Sequence, residues 1–433
     1  MNENTLAPPG QRLRYAVFTI RNTLDDGTVY ARSFIVVKNA YHVIVRFTRF
    51  QDYAGLYASG IYRPITADAE TRLYFICAFL NYALVDHGSE LGLRHVFDIT
   101  KPVMESFFNQ YAQEKQENGR CRSRESVERC VQTVTGFMGR LCAAFGGYMK
   151  LHKSELFEER ARMNHKGQLV QKLVPAFKPV GIPQQDGLFR DMPTKVMEIL
   201  LPMAFRYTED IAFGLCLQAF AGLRAGEVCN VRQECSPLGA GIRFVEAGGN
   251  IIKAEIDLRR ELALRSDGAE TGRIKKERLQ CVYPVFLGVF LQAYERHKAY
   301  LRNVNFEKDY APMFVNRCGK AMSYETYRNR FKTLVRDHLR PYLAKSGDPD
   351  LRIYGQMLYE NELGTHALRH WYTVQLVLRG EDIANVQFWR GDKSPESAFL
   401  YLQNKGDMVH ELKKANERLL IGLLSLGGVL YES

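Results

Sequence analysis

The sequence predicts a mainly α fold with small β-sheets, an α+β architecture built in several parts. Three observations carry this expectation. Apolar residues recur at helical spacing through most of the chain after about residue 66. Runs of β-branched and aromatic residues are confined to residues 12–50 and to a stretch around 251–283. A proline-interrupted, aperiodic segment at 161–193 separates two periodic bodies. The 433 residues suggest two or three domains, and a 46% hydrophobic content is enough to bury substantial cores.

Residues 1–60 read as a β-rich N-terminal region. Tyr15-Ala-Val-Phe-Thr-Ile and Ser33-Phe-Ile-Val-Val are strand-type runs, and Asp25-Asp26-Gly27 between them is a hairpin signal. Residues 61–160 read as a helical domain. Thr66-Ala-Asp-Ala-Glu70 caps a helix whose apolar stripe runs through Leu73, Phe75, Ile76, Phe79, Leu80 and Tyr82. Asp98-Ile-Thr100 followed by Pro102 starts a second helix, and Ser123 to about Tyr148 reads as a third. Pro175, Pro179, Pro183 and Pro193 mark 161–193 as an extended linker. Regular structure resumes over 194–405. Thr194 to Arg206 and Asp210 to Phe220 read as helices, Ile251–Ile256 and Arg278–Tyr283 as strands, and Pro284 leads into a helix to about Tyr300. A tail at 406–433 contains Glu411-Leu-Lys-Lys-Ala-Asn-Glu-Arg-Leu-Leu, an amphipathic helix, and then an apolar segment.

The formal charge of +11 and a pI of about 9.1 suit a polyanionic partner, nucleic acid above all. Lys115, Arg120, Arg122, Arg124, Arg129, Arg140, Lys150 and Lys153 concentrate cations in the helical domain. Such a cluster suits a clamp on a phosphate backbone, with Arg122, Arg124 and Arg129 as DNA-binding candidates, and Lys275 from the later part of the chain as a fourth; solvated helix faces are the alternative. The nine cysteines are scattered and form no C-x-x-C pair. That argues against a zinc site or a disulfide framework and fits a reducing, cytoplasmic setting. The N-terminus has no apolar signal core, and Leu419–Tyr431 is too short to cross a bilayer, so no membrane association is expected.

Three later segments carry chemistry. They are Ala221-Gly222-Leu223-Arg224-Ala225-Gly226-Glu227, Thr365-His366-Ala367-Leu368-Arg369-His370-Trp371, and Phe388-Trp389-Arg390-Gly391-Asp392 with Tyr401 nine residues beyond Asp392. Metal-free cleavage of DNA needs a nucleophile, cations to neutralise a pentavalent phosphorus, and an acid for the departing sugar oxygen. Arginine suits the second role, because its planar fork donates two hydrogen bonds to phosphate oxygens and stays charged.

In their order and spacing these segments resemble the tyrosine recombinase/phage integrase family, whose pattern is G-L-R-x-x-E, then H-x-x-R-H, then G-H or G-W with a tyrosine nine residues on. Pro312-Met-Phe-Val-Asn-Arg and the residues up to Thr326 look like the strand and helix start that precede H-x-x-R. The resemblance spans about 194–405 as a catalytic domain and, less distinctly, 60–160 as a core-binding domain of four or five helices. It implies that Arg224 and Arg369 grip the scissile phosphate, that His366 assists, and that Tyr401 attacks to leave a 3′-phosphotyrosyl bond and a free 5′-hydroxyl. His370 reads instead as a packing residue, and Glu227 as a brace. The family's general-acid lysine on a hairpin turn falls in Gly272-Arg-Ile-Lys275-Lys276-Glu-Arg278. Counting back eight residues from Pro284 selects Lys276, with Lys275 second, while counting back five from Arg278 gives Arg273.

Asp392 departs from the pattern, since a carboxylate beside a phosphate is repelled unless paired or protonated. Three readings stay open: Asp392 braces an arginine, Lys393 faces the phosphate instead, or the site is impaired. The resemblance implies site-specific recombination of integrase or transposase type on a mobile element, acting on double-stranded DNA through a Holliday junction. It implies assembly as dimers or tetramers, with the tail exchanged between protomers, and accessory DNA-bending proteins as further partners. It implies no cofactor and no metal, because the phosphotyrosyl bond conserves the energy of the phosphodiester. Residues 1–60 would be an arm-type or accessory DNA-binding domain. The rival readings are a catalytically impaired DNA-binding relative and a type IB topoisomerase-like enzyme.

Overall fold

The computed structural model describes residues 13–56, 67–116, 119, 121–163, 169–180 and 192–392. The chain divides into two compact units, Met1–Asn22 with Tyr30–Gly187, and Thr23–Val29 with Leu188–Ser433.

In the first unit, β1 (Arg14–Thr23), β2 (Val29–Lys38) and β3 (Ile44–Phe47) form a sheet in that order. Gly27 takes the left-handed φ of +79° that the turn between β1 and β2 demands, where a side chain would be strained. Helices α1 (Ala67–Leu80), α2 (Lys101–Gln113) and α3 (Arg124–Phe145) follow. Pro102 sits in the first turn of α2, where its missing N–H costs nothing, and Ser123 caps α3 by accepting the Ser126 N–H at 3.2 Å. In α3, Val127, Val131, Val134, Met138 and Leu141 lie at spacings of three and four and are buried. They pack with Leu73, Ile76, Phe79, Phe107 and Phe108 into one core, to which the sheet adds Ile35, Tyr15 and Val17. Polar ties join sheet to helices: Asn81 exchanges hydrogen bonds with both backbone groups of Tyr15 (2.8 and 2.9 Å), and Thr19 donates to Glu70 at 2.8 Å.

A short α4 (Lys153–Leu156) leads into β4 (Phe157–Met163), which pairs antiparallel with β5 (Leu169–Pro175) from Phe157↔Pro175 to Met163↔Leu169. A hairpin therefore occupies the first half of the segment read from sequence as linker. The described side chains of β5 from Leu169 to Leu173 are exposed, so no buried face imposes the alternation by which a strand is recognised.

The second unit opens with α5 (Thr194–Tyr207) and α6 (Glu209–Phe220), then the short α7 (Ala225–Val228). Strands β6 (Ile242–Ala247), β7 (Asn250–Leu258) and β8 (Arg278–Cys281) form an antiparallel sheet in sequence order. Then come α8 (Leu287–Arg302), α9 (Tyr324–Leu334), α10 (Arg340–Ala344), α11 (Pro349–Glu360), α12 (His366–Leu378) and α13 (Ile383–Arg390). Every residue of α6 from Ile211 to Phe220 is buried, which makes it the central rod of this unit. Phe213, Leu217 and Phe220 join Phe286, Phe290, Tyr327, Trp371 and Tyr372 in a single core. No described helix is long and apolar enough to cross a membrane.

Candidate active site

The chain leaves α6 through Ala221 and Gly222. Gly222 has φ +64°, and an added Cβ would lie 2.6 Å from the Tyr372 ring. Both features reserve this position for glycine. The tight turn presents Arg224 in extended conformation as the residue capping α7. Glu227, three residues on, accepts the Arg224 backbone N–H at 3.0 Å, satisfying a helix-terminal donor.

Glu227 is completely buried and carries two guanidinium groups. Arg278 of β8 grips it with two bonds, Nη1–Oε1 at 3.0 Å and Nη2–Oε2 at 2.9 Å, and Arg224 Nη1 adds one at 3.1 Å. Burial alone pushes the Glu227 carboxyl up, but the hydrogen bonds and charge of Arg278, with Arg224, outweigh it and bring the pKa down to about 2. Glu227 is thus the anion that fixes two arginines in place.

Arg369 lies in the first turn of α12 and is fully buried. It donates through Nη1 to the Gly222 carbonyl, and through Nη2 to the Arg390 carbonyl (2.8 Å) and to Asp392 Oδ1 (2.7 Å). Arg224 Nη2 donates to the same Asp392 oxygen at 2.6 Å. The other oxygen, Oδ2, lies 3.0 Å from Arg390 Nε. Lys276 donates from Nζ to the Asp392 backbone carbonyl at 3.1 Å.

Gly391, which ends α13 at φ +63°, sets this arrangement, since a Cβ there would collide with the Arg278 guanidinium. Gln280 bridges the strand to the helix end: its amide donates to the Trp389 carbonyl at 2.7 Å and its oxygen accepts from Arg278 Nε at 2.6 Å.

The electrostatics are lopsided. Arg224, Lys276, Arg278, Arg369 and Arg390 surround two carboxylates, Glu227 and Asp392. Burial would raise the Asp392 pKa, yet Arg369, Arg390 and Arg224 hold it below its ordinary value. Arg369 is lowered to about 9 by burial and by repulsion from Arg224, with Asp392 opposing. Both values fall, with opposite effects on charge: the cations around Asp392 favour its carboxylate, while burial and the neighbouring arginines work against the Arg369 cation, which shares that one carboxylate with them. At neutral pH Arg369 remains charged, and the cluster keeps an excess of positive charge.

Four of the sequence candidates, Arg224, Lys276, Arg369 and Asp392, thus come together in space. Lys275 is exposed, and Arg273 donates to Glu270 at 2.7 Å. His366 is exposed at the start of α12, three residues before Arg369 and hence on the same side of the helix, while His370 is half-buried. Lys393, Tyr401 and the tail lie outside the described residues.

Arg278 and Arg390 complete the cluster without having been singled out in the sequence. Arg278 opens β8 two residues before Gln280, so these two side chains leave the strand on the same face, while Lys276 lies in the bend before it. In the first unit, Arg122 is engaged by Glu114 (2.9 Å) and the Tyr111 carbonyl (3.0 Å), and it lies over the Tyr111 ring. Arg124 pairs with Glu128 at 3.0 Å on the surface, and Arg129 is half-buried.

No protein-family model matches the sequence, and no curated protein matches it. Solved structures do. The integrase of transposon Tn1549, residues 82–397 bound to transposon right-end DNA, superposes with a TM-score of 0.50 at 12% identity, covering 86% of this chain and 98% of that one. A lambda integrase dimer bound to a COC′ core site is similar at TM-score 0.45 and 12% identity, covering 83% of this chain and 94% of that one. The XerH site-specific recombinase bound to its difH substrate is similar at TM-score 0.44 and 12% identity, covering 77% and 76%. The protein has the tyrosine recombinase fold, as the order of its motifs implied.

Proposed function

We propose that this protein is a site-specific DNA recombinase of integrase or transposase type that cleaves and rejoins strands through Tyr401. The observation that carries the reading is the convergence of Arg224 and Arg369 on a single oxygen, at 2.6 and 2.7 Å. Two guanidinium groups that meet on one anionic oxygen suit the non-bridging oxygens of a phosphodiester, and they need no reorganisation when charge builds on phosphorus. The likeness to the Tn1549 integrase, itself bound to DNA, supports the same partner here.

In this reading the Tyr401 phenol oxygen bonds to phosphorus as the bond to the 5′-oxygen breaks. Lys276 protonates the departing oxygen, and His366 assists transfer of the phenol proton. Arg224 and Arg369 neutralise the pentavalent intermediate state, with Glu227 and Arg278 holding them in register. The rejoining step is the reverse, with a 5′-hydroxyl as attacking group. Strand exchange between two duplexes requires two to four protomers, with residues 406–433 linking them, in the DNA-containing cytoplasm.

Basic residues of the first unit are the sequence-independent contacts. The sheet face carrying Phe18, Phe34 and Phe47, with Arg32 over Phe34 (5.0 Å) and Lys38 over Phe18 (6.0 Å), is the accessory DNA surface. Because the same sheet feeds Ile35 into the helical core, that surface is tested by Arg32→Ala with Lys38→Ala, which should weaken DNA binding while leaving the unit folded.

The Asp392 ion pairs favour one rival, a relative that binds DNA without cutting it. A nicked suicide duplex separates the two. The enzyme should form a covalent protein–DNA adduct that Tyr401→Phe abolishes without loss of binding. Binding with no adduct selects the rival. Relaxation of supercoiled plasmid irrespective of sequence would point to a topoisomerase instead.

A further inference from the structure

Asp392 does more than tether an arginine. Its two oxygens face different partners. Oδ1 is shared by Arg224 and Arg369 at 2.6 and 2.7 Å, the two groups assigned above to the scissile phosphate, while Oδ2 faces Arg390 at 3.0 Å. We propose that the Asp392 carboxylate is a resident anion in the phosphate seat, so that a phosphodiester enters the site only by displacing it from Arg224 and Arg369. The proposal rests on the reading of those two arginines as the phosphate grip.

Three features fit a displaceable anion better than a fixed brace. First, charge-assisted bonds of this length are what a phosphate oxygen would form with the same donors, so the exchange is like for like. Second, Oδ2 keeps Arg390 as a partner after Oδ1 is withdrawn, so displacement leaves no buried carboxylate alone. Third, the permanent structural anion is already present: Glu227 holds Arg224 from its other side and binds Arg278 with two bonds. Removing the Asp392 oxygen leaves Arg224 still anchored, and leaves Arg369 on the carbonyls of Gly222 and Arg390. The surrounding cations, Arg224, Lys276, Arg278, Arg369 and Arg390, against Glu227 and Asp392, leave charge for one further anion. The resident carboxylate would keep the cationic pocket closed to stray anions and raise the threshold for DNA engagement.

The test uses the full chain and inorganic phosphate as probe, at constant ionic strength with chloride as reference anion. The readout is the thermal midpoint from tryptophan fluorescence, which reports the second unit because both tryptophans, Trp371 and Trp389, lie there. Asp392→Asn should be destabilised in chloride and restored by phosphate, with an apparent phosphate affinity ~10-fold or more above that of the unsubstituted protein. The added response should vanish in Asp392→Asn with Arg224→Gln.

Equal phosphate responses with and without the substitution would overturn the proposal, as would destabilisation that phosphate fails to restore. Should Asp392→Asn not fold in chloride, folding only in phosphate buffer is the predicted result in stronger form, and failure in both buffers, repeated with Asp392→Ser, counts against it. The adduct assay is independent of this readout. Phosphate rescue without a Tyr401 adduct would leave the anion seat standing and remove the recombinase reading; an adduct without rescue would do the opposite.

Discussion

Glu227→Gln is the perturbation whose cost can be worked most directly. The substitution keeps the shape and removes the charge that holds Arg278 and Arg224. The carboxyl pKa falls from an ordinary 4.5 to about 2 in the folded protein, and at 1.36 kcal/mol per unit this corresponds to about 3 kcal/mol at pH 7. Loss of one partner of a buried ion pair independently costs about 3–5 kcal/mol. The sign with pH follows from the depressed folded value. The stabilisation is complete above the unfolded pKa of 4.5 and drains as pH falls toward about 2, so the gap between the two proteins should shrink to roughly half its pH 7 size by pH 3. Urea unfolding followed by tryptophan fluorescence measures it, with the first unit silent because it contains no tryptophan. A gap below about 1 kcal/mol at pH 7, or one unchanged at pH 3, would refute the assignment of Glu227 as the charged anchor of both arginines.

Gly391→Ala should reduce adduct formation more than DNA binding. It forces a side chain into a left-handed backbone, at about 1–2 kcal/mol, and drives a Cβ against Arg278, with adduct yield on the nicked duplex as the measure. Arg122→Ala should destabilise the first unit by about 1–3 kcal/mol in far-ultraviolet circular dichroism melts, through loss of its bonds to Glu114 and the Tyr111 carbonyl, whatever it does to DNA affinity. Thiol labelling under native conditions should reach the exposed Cys235 and Cys318 quickly. The buried Cys216 and Cys229, whose thiols burial pushes far up, should react only on unfolding, and rapid native labelling of either would contradict the packing around α6.

The sequence disclosed this site where local rules and chemistry coincide. Arg224 follows a glycine that only glycine can replace, Arg369 follows its histidine by one helical turn, and Asp392 follows a left-handed glycine cap; each is a short-range pattern. That Asp392 braces an arginine was among the sequence readings, and it pairs with three; what escaped was which further cations join them. Nothing local distinguishes Arg278 from the neighbouring cations of the β8 approach until Glu227, 51 residues away, is seen beneath it. Lys276 and Lys275 differ by one position in a bend, where no periodicity tells them apart; the count from Pro284 favoured Lys276, and it is Lys276 whose Nζ reaches the Asp392 carbonyl while Lys275 is exposed. Strand β6 was hidden by the glycines that flank it, at 239, 241, 248 and 249, which read as turn, although Ile242 enters the core completely. The hairpin of β4 and β5 was hidden for the opposite reason, since exposure erases periodicity.

Asp392 shows why the departure from the family pattern need not be a defect in the fold. A buried guanidinium such as Arg369, with charged neighbours on two sides, is costly to keep, and its Nε has no hydrogen-bond partner among the described residues. A neutral residue at 392 would leave that cost to be met by whatever anion the solvent supplies. A carboxylate meets it permanently, and the fold can then be stable before DNA arrives. In the proposed reading the consequence is competitive: the oxygen that stabilises the arginine cluster must yield to the phosphate. Stability without ligand and affinity for ligand should therefore move in opposite directions across substitutions at 392, and a variant that raised both would break the link between them.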